Sequence, residues 1–128
     1  MRFPWLVLAA LFGALAVVLG AIGAHLVMGD QQATRFHDTA LQYQMFSLLP
    51  LVVSDILIRR RHGNGFASLA AFFTTVGIIL FSGSLYLRAW YDIQVGFNIT
   101  PTGGICLILG WICLVFAALV DIRKREHN

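Results

Sequence analysis

Three stretches of this chain carry no charged side chain, and each is long enough to cross a bilayer as a helix. Phe3 to Met28, Phe66 to Leu87 and Gly103 to Val120 contain no Lys, Arg, Asp or Glu. A helix needs roughly 17–25 residues to traverse about 30 Å of hydrocarbon, and all three qualify. A fourth, weaker candidate runs from Ala40 to Ile58 and includes Gln42, Gln44, Pro50 and Asp55. It needs neighbours to shield its polar groups, because lipid offers no water to bond them. Composition agrees, with 59% apolar and 12% charged residues, about half the charged share of a soluble domain. The expected fold is an all-α membrane protein, an antiparallel up-down-up-down four-transmembrane-helix bundle. It forms a single domain over 1–128, with helices at about 3–28, 38–58, 66–88 and 102–121.

The basic residues orient such a bundle. Arg59-Arg60-Arg61 follows the second span, Arg123-Lys124-Arg125 follows the fourth, and Arg2 precedes the first. Only Arg35 and Arg88 remain for the opposite side. The positive-inside bias places both termini in the cytoplasm of the cell (inner) membrane. The net charge of +3 resides in these short flanks, which lack base-reading or stacking groups, so nucleic acid is not an expected partner. Arg2 before an apolar run resembles a secretory signal, but the run far exceeds the roughly 7–15 residues of a signal core. Cys106 and Cys113 are two turns apart on one helix, about 10 Å, too far to pair with each other.

Short connections make sequential helices neighbours. Gly29 to His37 reads as the first outer connection, with Asp30 able to cap a helix from about Gln31. His62-Gly63-Asn64-Gly65 reads as a tight turn, and Arg88 to Thr102 as the longest loop, with Trp90, Tyr91 and Phe97 suited to the interface. Pro101 stands just ahead of the fourth helix.

Small residues recur in steps of three and four, and let helix backbones approach closely with left-handed crossing at about +20°. In the first span they are Ala9, Gly13, Ala16, Gly20 and Gly23; in the fourth, Gly103, Cys106, Gly110, Cys113 and Ala117. The third offers Ala67, Ala70, Thr74, Gly77 and Ser84, interrupted by bulky Phe81. Gly13, Gly20, Gly23, Gly77, Gly103 and Gly110 are therefore expected packing positions, with a GxxxG-type dimer face as the sharper alternative. The second span has its own stripe of Ala40, Gln44, Ser47, Leu51 and Ser54, which should face inward because a lipid-facing amide would leave its groups unpaired. Pro50 removes a backbone donor and predicts a kink.

Topology also sets the depth of the polar residues. His25 closes the first helix at the outer side, and Gln42, Tyr43 and Gln44 open the second there. Ser82, Ser84, Tyr86 and Arg88 close the third, and Thr100 and Thr102 precede the fourth. The functional reading is a polar pocket of His25, Tyr43, Gln44, Ser82, Ser84 and Tyr86. The plainer reading is that helix ends are polar near headgroups and that buried Gln and Ser hold helices together. A metal site at His25 would need partners such as His37 and Asp38, whose spacing fits no established ligand pattern. Asp55 with Arg59, and Asp121 with Arg125, read as i,i+4 ion pairs on solvated flanks. No nucleophile with an adjacent base, phosphate-binding loop, haem motif or metal-ligand run is visible, so neither enzymatic activity nor a cofactor is expected.

Several ordered motifs carry a resemblance. They are Gly20-Ala21-Ile22-Gly23-Ala24-His25, Tyr43-Gln44-Met45-Phe46, Leu80-Phe81-Ser82-Gly83-Ser84-Leu85-Tyr86, Thr100-Pro101-Thr102-Gly103-Gly104 and Gly110-Trp111. Across nearly the whole chain it resembles a YgdD-like family of uncharacterised small inner-membrane proteins. The resemblance implies a four-helix membrane protein without an assigned activity. Members commonly have a histidine after the Tyr-Gln-x-aromatic motif, where this chain has Ser47, so a mechanism needing two bundle histidines does not carry over. Abundant packing signal beside scarce chemical signal favours an accessory or structural membrane component, surrounded by membrane lipids and associating with itself or a larger complex. The alternative is a binder or transporter of a small amphiphile or ion through the outer polar pocket.

Overall fold

In the computed structural model the described residues are 4–27, 29–60, 63–94, 96 and 98–126. The sequence readings that involve Arg2, Arg61, His62 and Phe97 lie outside them. The described residues form helices and connecting turns. α1 is Trp5–Leu26, α2 Gln31–Phe46, α3 Leu48–Ile58, α4 Gly65–Gly77, α5 Gly83–Tyr91 and α6 Ile99–Glu126, with a π-helical turn Ile78–Ser82 joining α4 to α5. Among the described residues, four helical stretches are long and apolar enough to cross a membrane: Trp5–Gly23, Gln31–Ile58, Gly65–Tyr91 and Ile99–Glu126.

Local chemistry explains where these helices begin and break. Asp30 caps α2 by accepting a hydrogen bond from the Ala33 N–H at 3.0 Å. The second helix therefore starts at Gln31, where the Asp30 cap leads one to expect it, ahead of the span placed at 38–58, and His37, read as the end of the connection, lies inside it. Its first turns are amphipathic, with Arg35 and Asp38 exposed and Ala33, His37, Ala40 and Gln44 buried. The helix breaks at Ser47, just ahead of Pro50, whose ring nitrogen has no proton to return to the preceding turn. Asn64 caps α4 through Ala67 N–H, and Asp92, in the left-handed region at φ 54°, ends α5. α6 starts at Ile99 rather than 102, with Pro101 inside its first turn, where a missing N–H costs nothing. It continues to Glu126 because a helix that leaves hydrocarbon can carry its charged last turns into water.

The π-helical turn was not legible in the sequence, and it resolves the Phe81 interruption. A π turn inserts one extra residue and rotates everything after it by about a hundred degrees. Before it, the buried stripe of the third span follows Ala67, Ala70, Thr74 and Gly77; after it, the stripe continues as Ile78, Ser82, Leu85 and Ala89. Phe81 is thereby turned outward and Ser82 inward.

The second and third spans form the centre. Their apolar windows are 44% and 39% buried, against 22% and 17% for the first and fourth. α1 packs on α2 and α3, while α6 packs chiefly on α4 and the π turn. One apolar cluster gathers Ala9, Leu51, Leu57, Ile58, Ala67, Ala71 and Ala117. Others gather Leu19, Ala40, Leu85 and Tyr86, and then Val27, Ala33 and Ala89. Glycine is required where backbones meet. A Cβ on Gly77 would fall 2.6 Å from the Leu107 side chain, one on Gly110 would strike the Thr74 hydroxyl, and one on Gly103 would enter the Phe81 backbone. Gly13 and Gly20 are different, since a Cβ there would make ordinary contact with Leu48 and Leu41 at 3.4 and 3.5 Å.

The arginine-rich end is stapled across spans. Arg59 Nε donates to Asp55 Oδ2 at 2.8 Å, the expected i,i+4 pair. Asp55 is not on a solvated flank, however: it is 1% exposed, and its Oδ1 has no hydrogen-bond partner. Asp121 pairs with Arg60 of the second span at 3.2 Å rather than with its own helix's Arg125. The Asn64 amide, besides capping α4, donates to the Ala117 carbonyl at 2.8 Å.

Candidate functional site

The opposite end of the molecule contains the densest polar arrangement. α2 presents His37, Ala40 and Gln44 on one face by helical spacing of three and four, and α5 presents Tyr86 and Trp90 one turn apart. His37 is 2% exposed. Trp90 Nε1–H donates to His37 Nδ1 at 3.0 Å, and indole nitrogen can only donate. Nδ1 must therefore be the accepting, unprotonated nitrogen, which leaves the proton on Nε2. Nε2–H then donates to the Leu19 carbonyl of α1 at 3.2 Å. The tautomer is assigned by its two neighbours.

Gly23 makes this contact possible. It lies one turn after Leu19, and a Cβ at that position would run into the His37 ring. Its role as a packing glycine is thus to admit an imidazole to a helix carbonyl.

A second clamp runs in parallel. Gln44 Nε2 donates to the Phe12 carbonyl of α1 at 2.8 Å, and its Oε1 accepts from the Tyr86 hydroxyl at 2.7 Å. The two clamps touch, because the Tyr86 ring stacks on Trp90 at 4.8 Å between centroids and meets the His37 ring edge-on at 5.5 Å. Ser82 Oγ–H, turned inward by the π turn, donates to the Ala40 carbonyl at 2.8 Å. Ser84 Oγ–H donates to Phe81 O at 3.0 Å, so the Thr100 hydroxyl of α6 is the donor in the Ser84–Thr100 pair. All four spans are laced together at this end.

The six residues singled out from the sequence divide accordingly. Gln44, Ser82, Ser84 and Tyr86 are buried and bonded to protein atoms. His25 is exposed, and Tyr43, 43% exposed, sits on the outer surface with its ring edge-on to Phe81 at 5.1 Å. His25 and Tyr43 thus stand apart from the four that bond inside the bundle. Sequence reasoning missed His37 and Trp90 as members. The signal for His37 was available: continuing the Ala40, Gln44, Ser47, Leu51, Ser54 stripe backward by three reaches it. Trp90 follows Tyr86 by one turn.

Between the two stapled ends the interior holds hydroxyls of another kind. Ser47, Ser54, Thr74 and Thr75 have buried oxygens without a hydrogen-bond partner. Among the described residues, clefts border the clamped end. One of about 390 Å³ touches Gly20, Gly23, His37 and Asp38, and one of about 450 Å³ touches Asp30, Phe36 and Arg88, whose guanidinium lies 4.8 Å above the Phe36 ring. Another, about 430 Å³ and mostly apolar, lies between the second and fourth spans.

The protein family described as of unknown function, DUF423, matches residues 19–104, about two thirds of the chain. The chain belongs to the DUF423 family. The matched segment of this DUF423 member contains Leu19, Gly23, His37, Gln44, Tyr86 and Trp90, the whole clamp except the Phe12 carbonyl. Curated relatives agree over most of their length. The UPF0382 membrane protein YwdK of Bacillus subtilis is 39% identical over 90% of this chain and 95% of its own. A UPF0382 membrane protein of Haemophilus influenzae is 37% identical over 92% and 95%. The UPF0382 inner membrane protein YgdD of Escherichia coli K12 is 33% identical over 93% and 92%. No solved structure matches. With four apolar helices of spanning length, this DUF423 member is a membrane protein of an uncharacterised family.

Proposed function

We propose that the chain is an accessory or structural component of the inner membrane, without catalytic activity of its own, that works by associating with itself or with a larger membrane complex. The observation that carries this reading is how the outer polar residues are used. His37, Gln44, Ser82, Ser84, Tyr86 and Trp90 are each engaged by a protein group, which suits a rigid scaffold better than a site that must exchange partners with a substrate. The lightly buried first and fourth spans leave broad apolar faces for lipid or for a neighbouring protein.

In this reading the four spans run antiparallel, up-down-up-down, with both termini in the cytoplasm. The paired positions Asn64–Ala117, Thr74–Gly110, Gly77–Leu107 and Phe81–Gly103 support it, since one number rises as the other falls. The arginines flanking the second and fourth spans supply the orientation. Native mass spectrometry from a mild detergent is expected to release a self-associated form or a defined complex. Recovery of isolated monomers alone would overturn the proposal.

A further inference from the structure

The apolar groove between the second and fourth spans has a feature that packing does not account for. Its volume of about 430 Å³ is that of a small-molecule site. Its walls are aromatic: Tyr43 stands edge-on to Phe81, and Phe46 meets Trp111, both at 5.1 Å between centroids. Gly104 lines it beside Phe81, and a Cβ there would make ordinary contact with that ring at 3.6 Å. Ser47 also lines it, only 1% exposed, and its hydroxyl has no hydrogen-bond partner. A helical serine usually shares the carbonyl one turn back with its own backbone N–H; here the Ser47 N–H donates to the Tyr43 carbonyl at 3.0 Å and the hydroxyl does not join it. An orphaned hydroxyl in a lipid-facing groove is costly, and it holds one unspent proton.

We infer that this groove binds a membrane-dissolved molecule with a flat conjugated ring bearing a carbonyl oxygen, the chemistry of a quinone headgroup, which accepts a hydrogen bond from Ser47. Three features select that chemistry. Among the described residues no Asp, Glu, Lys or Arg lines the groove, which disfavours a charged or zwitterionic headgroup. The surrounding Met45, Phe46, Ile105 and Ile108 are exposed on apolar spans, so the occupant arrives from hydrocarbon rather than water. An acyl chain would fill the volume but leave Ser47 unpaired, whereas a ring carbonyl stacks on the aromatic walls and satisfies the hydroxyl together. Binding of this kind does not depend on whether the chain works alone or inside a larger assembly.

Ubiquinone-1 is a suitable probe, titrated against the full chain in phosphatidylcholine nanodiscs while tryptophan fluorescence is followed. A saturable quenching component is expected, carried by Trp111 and therefore lost in Trp111→Phe. Ser47→Ala removes one hydrogen bond and should weaken binding roughly three- to tenfold. Gly104→Leu should fill the groove and abolish the saturable component while the protein keeps its elution volume. Quenching that rises linearly with probe and is equal in wild type and Trp111→Phe would mean partitioning into lipid only, and would overturn the inference. So would quenching of Trp111 by brominated acyl chains that ubiquinone-1 fails to relieve, because the groove would then belong to lipid tails.

Discussion

Gln44 joins two fixed partners, and a double-mutant cycle with Tyr86 measures what that is worth. The side chain is 2% exposed, with its nitrogen on the Phe12 carbonyl and its oxygen under the Tyr86 hydroxyl. Gln44→Leu keeps the volume and removes both bonds. Side-chain bonds between membrane helices average about 0.6 kcal/mol and reach about 1.7, so the two together should cost roughly 1–3 kcal/mol. Tyr86→Phe removes the hydroxyl alone and should cost about 0.6–1.7 kcal/mol in the wild-type background. With leucine at 44 the hydroxyl is already orphaned, and removing it should cost nothing or stabilise the fold. The cycle should therefore return a coupling of about 0.6–1.7 kcal/mol. Reversible unfolding by dodecyl sulfate in mixed micelles, read by tryptophan fluorescence, reports it, since Trp90 stacks on Tyr86. If Tyr86→Phe costs the same in both backgrounds, the two side chains are not bonded and no clamp joins α2 to α5 at this point.

Adjacent glycines at the start of α6 should respond very differently in the same unfolding assay. Gly103→Ala drives a Cβ into the Phe81 backbone, which cannot yield, and should cost about 1–3 kcal/mol as an overpacking change. Gly104→Ala places its Cβ at an ordinary 3.6 Å from the Phe81 ring and should cost almost nothing, so equal effects would refute the close backbone approach at Gly103. Orientation can be read by cysteine labelling in a chain carrying Cys106→Ser and Cys113→Ser. A membrane-impermeant maleimide should modify Gln94→Cys in intact cells and Glu126→Cys only after lysis; the reverse pattern would invert the bundle.

Much of the fold was legible because charge is so expensive in hydrocarbon that a span declares itself locally. The uncharged runs from Phe3, Phe66 and Gly103 identify three spans without any knowledge of their neighbours. The inward stripe Ala40, Gln44, Ser47, Leu51, Ser54 was legible for a related reason: an amide on a helix must find shelter, and helical periodicity says which residues share it. All five are buried. Periodicity fails where the helix changes its period. The π turn shifts the third span by one residue, which exchanges Phe81 for Ser82 at the interior, and no local pattern in Ile78–Ser82 announces it.

What only tertiary structure decided is which polar groups meet. The sequence places His25 in the candidate pocket and His37 in a connection, yet His25 is exposed while His37 is bonded on both ring nitrogens. Hydropathy adds up along the chain and can be summed from one span alone. A hydrogen bond needs its partner from another helix, at a set height and rotation, and that information is distributed over Leu19, Gly23 and Trp90. The same holds for Ser47, whose place on the stripe was readable, but whose missing partner and aromatic groove exist only once the second and fourth spans lie side by side.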